Sequence, residues 1–259
     1  MTAATDARVH LEVDGPVAVV TINRPKVRNA VDRPTAEAIS AAWDEIDGRS
    51  DIRAAVLTGA GGFFCAGMDL KAFSATKERP ISEARGGFGI VEKPPRTPVV
   101  AAVEGKALGG GFEIALACDL IVAAEDAWFG LPEVKRGLIA AAGGVLRLPQ
   151  RVPRSVAKHL VLTGEPVGAY EAERLGLVTE VARTGRALEA AVELAGRIAS
   201  NAPMAVRGAK QILDESIDWP VAEAFARQQA VTDPVRASRD AAEGARAFVE
   251  KRDPVWVDG

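Results

Sequence analysis

Apolar and polar residues alternate over Val9–Val13 and again over Val17–Ile22, with Asp14-Gly15 between the two runs. Alternation marks half-buried strands and Asp-Gly suits a tight turn, so the pattern predicts a β-hairpin. The period then changes. From Ala36 to Ile46 apolar residues recur at helical spacing, behind an N-capping Asp32, Pro34 in the first turn, and Gly48 as the stop. Ala54–Thr58, closed by Gly59-Ala60-Gly61-Gly62, and Pro98–Val103 have no polar face, which marks strands buried on both sides. Gly109-Gly110-Gly111 then leads into a helix through Phe112–Cys118, and Asp119–Ala123 and Trp128–Phe129 read as further strands. Between Phe73 and Lys93 charge, Gly and Pro mix around a weak helix, which predicts a mobile surface excursion.

Strands alternate with helices to about Val181, so the pattern predicts an α/β core with parallel strands. From Thr184 onward it predicts almost only helix, over Ala187–Ala199, Met204–Ser216, Val221–Val231 and Arg236–Lys251. The breaks fall at Asn201-Ala202-Pro203 and Asp233-Pro234.

Composition narrows the chemistry. A chain of 259 residues, 48% hydrophobic, can bury a sizeable core. It holds only two His (His10, His159), two Cys (Cys65, Cys118) and one Tyr (Tyr170). A three-His metal centre is impossible, and two distant Cys make neither a Cys-rich zinc site nor a disulfide framework. No Gly-x-Ser-x-Gly elbow, P-loop or Gly-x-Gly-x-x-Gly occurs. Acid–base work therefore falls to the 35 carboxylates. A net charge of −3 without a run of five like charges offers no footprint for nucleic acid or an anionic membrane. Met1–Arg8 lacks a signal-peptide pattern, and no apolar run is long enough to span a bilayer. The expectation is a cytoplasmic protein.

Two Gly-containing turns follow strands and can place free N–H groups where negative charge collects. One is Gly109-Gly110-Gly111, which reads equally as a tight packing turn. The other is Cys65-Ala66-Gly67-Met68-Asp69-Leu70, where Met68 also reads as core and Asp69 as an N-cap. Glu113 lies in the first helical turn among Phe112, Ile114, Ala115 and Leu116. It either complements the helix dipole or is a buried carboxyl of raised pKa. Glu133, in Phe129-Gly130-Leu131-Pro132-Glu133, reads alone as a solvated loop charge.

Taken together these segments resemble the crotonase family, the enoyl-CoA hydratase/isomerase superfamily, from about Val17 to Pro254. Asn23-Arg24-Pro25 with Asn29-Ala30 resembles its N-terminal motif. Leu57-Thr58-Gly59 through Phe64–Leu70, and Ala107–Glu113, resemble its two oxyanion motifs. Phe129–Glu133 with Gly143–Pro149 resembles the third motif, and Glu243-Gly244, Ala247-Phe248 and Glu250–Arg252 the C-terminal signature. The resemblance implies a ββα spiral core over residues 1–198 and a helical trimerisation region over 199–259.

It also implies an oxyanion hole from the Met68 and Gly110 N–H groups, with Glu113 and Glu133 as the acid–base pair of a hydratase. Coenzyme A contacts are implied at Lys26, Val27, Arg28, Ala66, Met68, Asp69, Leu70, Lys71 and Gly110, and at Phe248 and Lys251, often from a neighbouring subunit. The partner is then an acyl-CoA thioester and the assembly a homotrimer or dimer of trimers, with no separate cofactor, metal, nucleic acid or membrane. Three departures, Met68, Phe112 and the Ala140-Ala141 step, are expected to touch the acyl pocket, and the Phe73–Lys93 excursion is expected to shape it. Gly-Gly-Phe-Glu, Leu-Pro-Glu and Gly-Val-Leu-Arg-Leu-Pro are most similar to the carnitinyl-CoA dehydratase branch. The expected activity is hydration of a 2-enoyl-CoA. The alternatives are an isomerase, a dehydratase of an unusual acyl-CoA, and a non-catalytic acyl-CoA- or RNA-binding homologue.

Overall fold

In the computed structural model the hairpin forms as its alternation predicts. β1 (Val9–Asp14) and β2 (Val17–Ile22) pair antiparallel around Gly15 at φ +53°. The structure describes residues 7–259, so most of the leader-free stretch read over Met1–Arg8 lies outside the described residues. α1 (Arg33–Asp47) starts where Asp32 accepts the Thr35 N–H at 3.0 Å, and buries Ala36, Ile39, Trp43 and Ile46. β3 (Ala54–Gly59) follows, then α2 (Leu70–Thr76), capped by Asp69, and a short antiparallel pair, β4 (Ile81–Ser82) and β5 (Gly86–Gly87). β6 (Val99–Val103), β7 (Lys106–Leu108), α3 (Gly110–Ala117), β8 (Leu120–Ala124) and β9 (Trp128–Gly130) complete the centre. α4 (Gly144–Arg151), α5 (Arg154–Thr163), β10 (Val167–Gly168), α6 (Ala169–Arg174) and β11 (Glu180–Ala182) come next. The chain ends in α7 (Ala187–Ala199), α8 (Pro203–Glu215), α9 (Ala224–Arg236) and α10 (Arg239–Glu250).

Six strands form the main sheet in the order β1-β2-β3-β6-β8-β11, parallel except at the β1–β2 hairpin. α7 lies across β2, β3, β6 and β8, burying Ala187, Ala191, Ala195 and Ala199. A stripe of small residues at i, i+4 lets helix and sheet approach closely. A second sheet, β10-β9-β7, stands behind the site, and Cys65 bridges to Ala107 at its edge. No helix among the described residues is long and apolar enough to cross a membrane.

Two expectations are corrected. The Asp233-Pro234 step does not end a helix: α9 runs on to Arg236, and the break comes at Ser238, whose hydroxyl accepts the Ala241 N–H at 3.0 Å. A proline in a last turn removes only one helical hydrogen bond, whereas a capping serine starts a new helix. The excursion over Phe73–Lys93 is only partly a surface feature: its first half is largely exposed as far as Arg79, but beyond that Pro80, Ser82, Arg85, Phe88, Ile90 and Val91 are buried between exposed neighbours such as Ile81, Glu83 and Glu92. Its anchor is the buried Arg85 guanidinium, which donates to Asp44 and Asp47 of α1 at 2.9 Å each and to the Lys93 carbonyl at 3.1 Å.

Burial alone would raise the Asp47 carboxyl. The Arg85 hydrogen bond and the Thr97 and Arg96 N–H groups outweigh it, so the group sits below the ordinary carboxylate range. The resulting stability is present above that range and is lost as pH falls through the lowered value. Replacing Arg85 by Met leaves Asp47 buried without its cation. At pH 7 the variant should lose about 3 kcal/mol of unfolding free energy in urea titrations. The deficit should shrink at acid pH as Asp47 protonates; an equal deficit at all pH values would contradict the pairing.

Candidate active site

The site begins with glycines at a backbone crossing. α3 emerges directly from β7 through Gly109, at φ +55° and ψ −127°, a conformation essentially reserved for glycine. A β-carbon on Gly111 would overlap the Cys65 carbonyl, and one on Gly67 would stand 2.8 Å from the Gly110 nitrogen. The Cys65–Met68 turn and the first turn of α3 therefore touch main chain to main chain. Val31 donates to the Gly67 carbonyl at 2.8 Å and accepts from the Asp69 N–H at 2.9 Å, which brackets Met68. Among the described residues neither the Met68 N–H nor the Gly110 N–H donates to a backbone carbonyl. Gly110 opens α3, where the first N–H groups have no partner within the helix.

Both residues line a cavity of about 500 Å³ that also receives Glu113 and Glu133. Glu113 lies one turn into α3 and is 3% exposed. Its Oε1 accepts the Ala142 N–H at 2.7 Å and the Gly144 N–H at 2.9 Å, so the carboxyl caps the start of α4. Gly144 has to be small, because a β-carbon there would meet Glu113 Cγ at 3.0 Å. Glu133 opens a short 3₁₀ turn, Pro132–Arg136, and its buried Oε2 has no hydrogen-bond partner. Burial raises Glu113 above the ordinary carboxylate range. The Gly144 and Ala142 N–H groups pull it partly back, and the nearby Glu133 charge pushes it further up. Burial likewise raises Glu133, against smaller pulls from its own N–H and Arg136. Two carboxyls that each resist ionisation thus face one cavity beside two free N–H donors. Such a set can stabilise an oxyanion and move protons at adjacent atoms.

Of the other expected residues, Ala66 and Leu70 line this cavity. Lys26, Val27 and Arg28 are exposed on the turn after β2 and lie outside its lining; the Arg28 guanidinium stands 6.0 Å from the Phe63 ring centre. That turn is tied to the site, because the Ala66 N–H donates to the Arg28 carbonyl at 3.0 Å. Asp69 caps α2 and pairs with Arg24 at 3.0 Å, and Lys71 is exposed. Phe248, 86% exposed, and Lys251, on the C-cap of α10, are not brought to the cavity within one chain. Of the three departures, Met68 and Ala141 line the cavity. Phe112 does not: it is wholly buried with its ring 5.5 Å from that of Phe129, so it belongs to the core under α3.

Phe88, which the sequence did not single out, lines the cavity from the excursion expected to shape it. The signal available was the glycine cluster Gly86-Gly87-Phe88-Gly89. A larger cleft of about 750 Å³ lies alongside, but there Lys210 is paired with both Asp119 and Asp214. The thiols contribute no nucleophile: burial pushes both Cys65 and Cys118 up to about 12. His159 sits elsewhere, exposed beside Glu165 at 3.5 Å.

A family model described as enoyl-CoA hydratase/isomerase matches residues 12–259. Carnitinyl-CoA dehydratase of Salmonella typhimurium is 42% identical over 256 residues, covering 96% of this chain and 97% of its own length. Among solved structures, an enoyl-CoA hydratase of Mycobacterium marinum superposes with a TM-score of 0.95 at 48% identity, covering 97% of this chain and 99% of that one. A carnitinyl-CoA hydratase of Mycobacterium avium does so with a TM-score of 0.79 at 46% identity, over 97% and 99%. The likeness spans nearly the whole chain, and by it the chain belongs to the enoyl-CoA hydratase/isomerase family, the crotonases.

Proposed function

We propose that the protein hydrates 2-enoyl-CoA thioesters reversibly, using Glu113 and Glu133 against an oxyanion hole of the Met68 and Gly110 N–H groups. The observation that carries this reading is the convergence of two buried carboxyls of raised pKa on the cavity that holds both free donors. Water attacks C3 of the enoyl thioester, and the electron pair of C2=C3 moves onto the thioester oxygen. Two aligned N–H groups favour that charge by about 3–4 kcal/mol each where such donors have been removed. One carboxylate takes the water proton and one carboxyl delivers a proton to C2, so H and OH are added and the pair keeps its proton count. The two act as one coupled titrating unit.

The geometry suits a division of labour within the pair. Glu113 Oε1 is occupied by two N–H groups, which fixes the carboxyl and leaves Oε2 for the reacting atoms. Glu133 Oε2, buried and unpartnered, is suited to hydrogen-bond a water or a reacting proton.

A second reading runs the same chemistry as elimination from carnitinyl-CoA, and is favoured by the 42% identical dehydratases. An isomerase would need only one base, and the two raised carboxyls weigh against it. We also propose that the chain works as a trimer or dimer of trimers. In one chain Phe248 and Val249 of α10 are 86% and 79% exposed, which suits residues that complete a site from a neighbouring copy.

Glu113→Gln and Glu133→Gln should each lower kcat at least about 100-fold. Neither loss should come from unfolding. A carboxyl whose folded pKa is raised is destabilising above that value, so Glu133→Gln should be no less stable than the parent at pH 7.5 in urea. The parent kcat/KM should fall on the alkaline side as the upper apparent pKa of the pair is passed, and Glu133→Gln should lose that limb. Full activity in either variant would end the two-carboxyl mechanism. Turnover of crotonyl-CoA, followed by loss of enoyl-thioester absorbance, should exceed turnover of carnitinyl-CoA if the first reading holds; the reverse order establishes the second. Light scattering should give a particle mass that is three or six times that of the chain, and a monomer would remove the shared-site proposal.

A further inference from the structure

The segment between α2 and β6 holds an aromatic residue in a conformation that aromatic residues avoid. Phe88 has φ +54°, flanked by Gly86 at +72° and Gly89 at +74°. Glycine would occupy this left-handed position without penalty, and a bulky side chain there is a genuine outlier that persists only where its surroundings impose it. The surroundings are unusually firm. The Phe88 N–H donates to the Pro80 carbonyl at 2.6 Å, and Arg85 is clamped between Asp44 and Asp47. On the other side Arg147 donates to the Val91 carbonyl at 2.6 Å. Gly89 lies so close to α1 that a β-carbon would overlap the Ala36 carbonyl.

The ring is 6% exposed and lies flush against Gly110, where a β-carbon would overlap its edge. It lines the cavity of Glu113 and Glu133 but not the larger cleft of about 750 Å³ beyond. The two spaces share Arg79, Ile81, Gly87, Ala141 and Ala142 as walls. At that partition a β-carbon on Gly87 would stand 3.0 Å from Val91 Cγ2 and 3.6 Å from the Ala142 β-carbon, so the wall is closely packed there.

We propose that Phe88 determines acyl-chain length: its ring is the end wall of the acyl pocket. This rests on the reading of the site as one for enoyl-CoA thioesters. The left-handed backbone turns the side chain inward onto Gly110, and the clamps on either side keep it there. A short acyl group fits beneath the ring, whereas a longer one needs the space that the ring fills.

The test is a chain-length profile on the full-length protein. Phe88→Ala, with Phe88→Leu beside it as the smaller cut, is compared with the parent on crotonyl-CoA and 2-decenoyl-CoA. The ratio of kcat/KM for the longer over the shorter substrate should rise at least tenfold in Phe88→Ala and by less in Phe88→Leu. An unchanged ratio in either folded variant overturns the assignment. Calorimetric affinities for butyryl-CoA and decanoyl-CoA, taken on the same three proteins, should shift in the same direction. They read the wall without turnover. A parent that turns over neither substrate while the affinity ratio still shifts rejects the hydratase reading and keeps Phe88 as the length determinant.

Discussion

The rest of the site depends on the close approach of two stretches of main chain at Gly67, Gly110 and Gly111. A β-carbon at Gly67 or Gly111 would be driven into the backbone opposite, so a side chain at either position would force the Cys65–Met68 turn and α3 apart. The contact has two consequences. It leaves the Met68 and Gly110 N–H groups without backbone acceptors but beside one another's chain. It also sets the direction of α3, and hence where Glu113 arrives one turn later. Donor placement and carboxyl placement are therefore one constraint, and a chain that satisfied only half of it would have neither.

The second constraint is electrostatic. Burying Glu113 and Glu133 in one cavity disfavours their ionised forms, and the Glu133 charge makes Glu113 harder still to ionise. The fold offsets this for Glu113 with the N–H groups of Ala142 and Gly144 at the start of α4. It leaves Oε2 of Glu133 unsatisfied. An unsatisfied buried acceptor costs stability, by about 1–3 kcal/mol in general. Such a group at a cavity wall is what a reacting proton or water would satisfy. On the proposed reading the scarcity of histidine has a physical explanation: carboxyls raised by burial can exchange protons nearer neutrality, and the main chain would supply the oxyanion donors.

Legibility in the sequence followed the range of the interactions. The β1–β2 hairpin, α1, β3 and β6 could be read because each is set by a local period and by punctuation such as Asp14-Gly15 or Asp32. The buried run Val99–Val103 announced two-sided burial before any partner was known. Glu113 and Glu133 were each ambiguous alone, one as a dipole complement and one as a loop charge. Only the ordered motifs around them singled them out. The burial of the Pro80–Val91 segment was misread because it is decided at long range: the charge of Arg85 is balanced only beside Asp44 and Asp47, about 40 residues earlier. Phe112 misled in the opposite sense, since a position next to Glu113 on a helix still points to the other side of it.

That separation between a glycine-locked frame and a clamped segment has a functional logic. The frame fixes two free donors and a buried carboxyl at one cavity, and a β-carbon at Gly67 or Gly111 would not fit there. The Pro80–Val91 segment reaches the cavity from α1 through the Arg85 ion pairs and from α4 through Arg147, so its residues can vary without moving the Cys65–Met68 turn. Phe88 is the exception, because its ring rests on Gly110. Substrate shape and donor geometry meet at that single contact. A change of acyl group that altered the ring would also alter the packing on the first residue of α3. The left-handed strain at Phe88 is then understandable as the condition for this coupling: a relaxed backbone there would turn the side chain away from Gly110, and the pocket would lose both its wall and its hold on the donor.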